Sequence, residues 1–75
     1  MKVYVLAIDH AYGCNVSAHT SQKKAFSELF EYVNDYLSDN HPEEIEGKSK
    51  EEVVQYYFEQ YADGESYIIK EVEVN

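Results

Sequence analysis

A β-rich segment stands at each end of this chain, and two stretches of helical periodicity fill the space between. This order constrains the fold more than any other feature of the sequence. "KVYVLAIDH" (Lys2–His10) and "SYIIKEVEV" (Ser66–Val74) are rich in β-branched and aromatic residues and read as strands. After the first, "AYGCN" supplies a glycine turn, and the alternation of "VSAHT" (Val16–Thr20) reads as a short partner strand. With the "AYGCN" turn as the loop, His10 stands opposite Val16 and Ile8 opposite Ala18. That register gathers Leu6, Ile8, Val16 and Ala18 on one core face and leaves Val5, Ala7, Asp9, Ser17 and His19 on the other.

Thr20 or Ser21 caps a helix running to about Asp39, with Ala25, Phe26, Leu29, Phe30, Val33, Tyr36 and Leu37 recurring at helical spacing. His41 and Pro42 end it, because the residue before a proline avoids the helical region. A linker continues through Gly47. Ser49 and Glu52 then form a capping box that opens a second helix with Val53, Val54, Tyr57, Phe58 and Tyr61 as its buried stripe. "ADG" stops that helix at Gly64. The expected fold is α+β in the order β-β-α-α-β: a three-stranded antiparallel sheet, first strand central, with two helices packed on one face. At 75 residues the chain makes one domain, 1–75. The other sheet face, with Val3, Val5 and Ala7, is apolar enough to raise a dimer.

Hydrophobic content of 44% argues for a folded core despite a net charge of −9 from 15 acids and 6 lysines. One cysteine and no signal-like apolar stretch point to a reducing cytoplasm, and no run is long enough to span a membrane. Such a charge repels nucleic acid and anionic lipid and attracts basic partners. It is also concentrated: residues 28–65 sum to −10, against +2 for residues 1–27 and −1 for residues 66–75.

On a helical wheel Glu28, Glu31, Asp35 and Asp39 fall within about 80° of one another, opposite the apolar arc. Glu52, Glu59 and Asp63 cluster likewise on the second helix, and Glu43, Glu44 and Glu46 lie between. A polar outer face is ordinary for an amphipathic helix. Here, however, the rows lack the Glu-to-Lys pairs at i,i+4 that stabilise helices, and like charges at these spacings are mildly destabilising. Tyr32 and Tyr56 border the two rows, as tyrosines that anchor interfaces do, although packing between helix edges is the commoner role of such residues. These twelve residues form the expected partner-binding set.

Catalytic chemistry has less support. Asp9, His10, Cys14 and His19 are the residue types of a zinc site or thiol catalyst, but their spacing matches no such motif, and the register above turns His10 and His19 to opposite faces. The acidic loop lacks the alternating ligands of a calcium loop, and there is no glycine-rich phosphate loop or nucleophile elbow. The reading is therefore of a protein that is not an enzyme, takes no cofactor or metal and is a monomer or weak homodimer.

The opening "KVYVLAIDHAYGCNVSAHTSQKKA" and closing "ESYIIKEVEV" resemble small bacterial and phage proteins of β-β-α-α-β order. In size, acidity and lack of catalytic motifs the whole chain is similar to anti-CRISPR proteins. The resemblance implies an inhibitor in a bacterial cytoplasm, whose carboxylates mimic nucleic-acid charge. It would occupy a lysine-rich DNA-binding surface of a type I Cascade subunit, blocking recognition of the protospacer-adjacent motif (PAM), without binding nucleic acid itself. The alternative is a generic interaction module, an antitoxin or regulatory subunit, dimeric through its open sheet face.

Overall fold

A computed structural model describes residues 1–10, 12–62 and 64–74. The elements follow the expected order: β1 (Lys2–His10), β2 (Gly13–His19), α1 (Gln22–Asn40), a 3-10 turn at Pro42–Glu44, α2 (Lys50–Gln60) and β3 (Ser66–Glu73). The sheet is antiparallel with strand order β2-β1-β3, which puts β1 in the centre. Asp63, one of the twelve expected binding residues, lies outside the described residues.

Local chemistry accounts for the helix boundaries. Ser21 is the N-cap of α1, its side chain accepting a hydrogen bond from the Lys24 backbone N–H. Ser49 and Glu52 form the reciprocal capping box of α2, in which each side chain accepts from the other's backbone N–H. The Ser49 N–H bond to Glu52, with its hydroxyl, holds that carboxyl below the usual carboxylate range. Pro42 begins the 3-10 turn, where its missing N–H costs nothing. Gly47, at φ +78°, turns the chain back through a region other residues rarely enter.

α1 lies across all three strands, and α2 packs against α1. Ala25, Leu29, Val33 and Leu37 form the buried stripe of α1 and meet Leu6 and Ile8 of β1 and Val53, Val54 and Tyr57 of α2. Phe58 of α2 reaches the sheet at Tyr67, ring centroids 4.9 Å apart. Tyr67 pairs with Ile8 and so shares its face, which places α2 on the same side as α1. Among the described residues no buried side-chain nitrogen or oxygen lacks a hydrogen-bond partner.

The hairpin differs from the sequence expectation. β2 begins at Gly13 rather than Val16, and His10 pairs with Gly13, so only two residues separate the strands. Ile8 faces Asn15, and Val16 faces Ala7. An odd shift in register exchanges the faces of a strand. Asn15, Ser17 and His19 therefore share the helix side with Tyr4, Leu6 and Ile8, while Val16 and Ala18 join Val5 and Ala7 on the open side. The tight connection prevails over the apolar match because β2 is an edge strand: Leu6 and Ile8 of the central strand supply the sheet's part of the core. His10 and His19 consequently share a face, the reverse of the expectation, but at opposite ends of the hairpin.

Candidate functional site

The four carboxylates of the first row project from α1 as a line. Glu28, Glu31, Asp35 and Asp39 are all exposed, and their positions span about 16 Å of helix axis. Among the described residues the ion pairs are the Met1 amino group with Glu73 and Lys2 with Glu71, and the His41 imidazole also contacts Glu44. None involves the row. Glu28, Glu31 and Asp35 line one wall of an open groove of about 520 Å³, whose other wall is β2 with Asn15 and Ser17. Tyr32 lies in the same groove, half-buried, its ring stacked on His10 at 6.4 Å.

Of the second row, Glu59 is held elsewhere. Glu51 and Glu59 line a groove bounded by Phe26, Phe58 and Tyr67, on the β3 side of α1. The strand order puts β2 and β3 at opposite edges of the sheet, so Glu59 of the second row, with its neighbour Glu51, lines the flank opposite Glu28, Glu31 and Asp35. Glu59 also accepts a hydrogen bond from Gln55 Nε2 at 2.9 Å, and Glu52 is committed to its capping box. Asp39, Glu43 and Glu46 are exposed around the end of α1 and the turn that follows.

Two other acidic residues serve as internal acceptors, which the sequence pattern did not reveal. Glu44 Oε1 receives the hydroxyls of both Tyr56 and Tyr61, and its Oε2 lies 2.7 Å from His41 Nδ1. His41 stacks on Tyr61 at 4.4 Å. The two tyrosine hydroxyls, with His41 beside them, hold the Glu44 carboxyl below its usual range. In return Glu44 raises the pKa values of Tyr56 and Tyr61. Glu65 Oε1, just before β3, accepts from Tyr32 at 3.0 Å and Tyr57 at 3.1 Å, tying both helices to the entry of the last strand. The only advance signal for these clamps was the abundance of tyrosine, eight in 75 residues. Tyr32 lies in the groove beside the first acidic row, and the hydroxyls of Tyr32 and Tyr56 are both engaged by carboxylates of the same molecule, Glu65 and Glu44.

These clamps carry a pH dependence. Burial and then the Glu65 contact push the Tyr57 hydroxyl above tyrosine's ordinary value of 10, and the same two causes raise Tyr32. The folded state favours the neutral phenols, so this stabilisation is complete below pH 10 and is lost as pH rises through the folded-state values. The depressed Glu44 has the opposite sense: its contribution is present above the ordinary carboxylate value of 4.5 and disappears as pH falls through its folded value. Urea unfolding is expected to give a plateau from about pH 6 to 9, with falling midpoints on both sides. Tyr57→Phe should flatten the alkaline limb more than the acidic one.

The histidine and cysteine side chains are dispersed. His10 Nδ1 accepts from the Tyr12 N–H at 3.3 Å, His19 Nε2 lies 2.7 Å from Ser17 Oγ, and Cys14 is exposed opposite Asp9. Among the described residues no three His, Cys, Asp or Glu side chains are grouped to hold a metal ion. No described helix is long and apolar enough to cross a membrane.

No family model, no curated protein and no solved structure matches the chain. The functional reading therefore rests on the geometry of the acidic residues.

Proposed function

We propose that the protein is an acidic inhibitor that occupies a basic nucleic-acid-binding surface of a partner, its carboxylates standing where phosphates would lie. The partner class is the one implied by the sequence resemblance: a DNA-reading subunit of a type I CRISPR effector complex, engaged at its PAM-recognition surface. The observation that carries the reading is the row Glu28, Glu31, Asp35 and Asp39, exposed and without an ion pair among the described residues. Lysine neighbours would have stabilised such a helix, whereas like charges at i,i+4 cost a few tenths of a kcal/mol each. A line of fixed, unneutralised carboxylates is what a lysine-rich groove would attract.

The row narrows the docking surface to the β2 flank. Four charges over about 16 Å are sparser than duplex DNA, which carries one per roughly 1.7 Å counting both strands, so the row answers to part of one strand. Glu43 and Glu46 extend the charge past the end of α1.

Competition tests the reading. Binding of the protein to purified effector complex is expected to exclude target DNA, and to weaken by at least about tenfold between 50 and 200 mM salt. Simultaneous occupancy by DNA and protein, or affinity indifferent to salt, would remove the mimicry.

A further inference from the structure

The side of the sheet away from the helices is apolar across its whole width. Val16, Ala7 and Ile68 form one row through the three strands, and Val3 and Val72 extend it. Val16 is 66% exposed and Ile68 58% exposed, values for large aliphatic side chains with nothing packed over them. The charges on this face are few. Lys70 stands on the edge strand β3, where its stem can carry the ammonium outward, and Asp9 stands near the end of β1. An apolar centre with charges at the margin is the composition of an interface.

We infer that this face is the contact surface of a homodimer, two copies meeting sheet to sheet. Charge selects the occupant. The molecule carries −9 overall, while Lys70 and Asp9 leave this face neutral, so it is the surface on which two copies meet with the least repulsion. A basic rim that would draw an anionic membrane or nucleic acid is missing from its described residues. A two-fold contact requires one patch to complement itself, and a twisted sheet of β-branched residues packs on its own copy as the layers of a sandwich do. The size fits a weak dimer: about eight residues of strand by three strands gives a footprint of roughly 26 by 14 Å. Two such footprints come to about 730 Å² in total, below a standard interface and in the range of weak, reversible association. The dimer leaves both α1 rows facing outward, and it does not depend on what those rows bind.

Sedimentation velocity of the isolated protein, from about 1 to about 300 µM, provides the test. The mass is expected to rise from 8.7 kDa toward twice that value, and added salt should leave the association unchanged or tighten it. Salt weakens carboxylate-driven binding to a basic partner, so failure of the dimer and failure of the inhibitor reading are separable. Val16→Lys/Ile68→Lys should remain 8.7 kDa throughout, with an unchanged far-UV circular dichroism spectrum. If that variant does not fold, Ile68→Thr, which keeps a β-branched residue, should weaken association about tenfold with the fold intact. A wild-type protein that stays monomeric across the range, including one that instead captures a different partner on this face, overturns the inference. So does a folded lysine variant that still dimerises.

Discussion

Replacing Glu28, Glu31 and Asp35 with lysine is expected to lower affinity for the basic partner by on the order of 100-fold or more, while leaving the fold in place. Each reversal adds two charges, moving the net charge from −9 to −3. The loss should appear largely in the association rate, because exposed charges act mainly by steering the encounter. All three side chains are exposed and make no ion pair among the described residues, so the cost in stability should stay within about 0.5 kcal/mol. Glu51→Lys/Glu59→Lys is the control. It moves the net charge to −5 but alters the opposite flank. Surface plasmon resonance on both variants, with circular dichroism for folding, separates a specific row from general acidity. Losses in proportion to the added charge, six units against four, would mean that only total charge matters.

Leu29→Ala is expected to destabilise the protein by about 3 kcal/mol, the usual cost of a cavity left by a fully buried leucine. Leu29 is wholly inaccessible, in the middle of the one helix that touches all three strands. A 75-residue domain has a total stability of only about 4–11 kcal/mol, so the variant should lose a large part of it and melt roughly 12–24 °C lower. Val16→Ala makes the useful contrast. Its side chain is exposed in the monomer, so there it should change the melting temperature little, while weakening the sheet-to-sheet dimer. Thermal melts at low concentration distinguish these outcomes. An unchanged melt for Leu29→Ala would mean that α1 does not hold the core together.

Most of the architecture was legible because helices and strands declare themselves at different periods. The stripe Ala25, Leu29, Val33 and Leu37 and the Ser49–Glu52 box locate both helices, and a β-rich segment at each end requires the last strand to return to the sheet. The hairpin register was not legible, because Val16 and Ala18 look like core residues and the alternation alone does not say which way an edge strand faces. The two-residue connection between His10 and Gly13 decided it. The acidic rows could be read residue by residue, but not their placement. A helical wheel describes one helix, whereas the flank each row occupies depends on α2 lying toward β3. The tyrosine clamps on Glu44 and Glu65 escaped for a similar reason: Glu65 gathers a phenol 33 residues away and another 8 residues away, and no local spacing announces that meeting.

The central position of β1 has a consequence for how the protein forms. Its partner β3 pairs residues as distant as Lys2 and Glu73, so half the sheet's hydrogen bonds close loops that contain both helices. Loop closure on that scale exacts its entropy before any pairing repays it, which slows folding relative to a helical bundle of the same size. The β1–β2 hairpin and the helices can form locally, but a three-stranded sheet cannot exist until β3 has been synthesised. On the ribosome the nascent chain would therefore carry an unpaired β1 edge until β3 has emerged. Its dense negative charge, concentrated in residues 28–65, would help such intermediates repel one another until the last strand arrives.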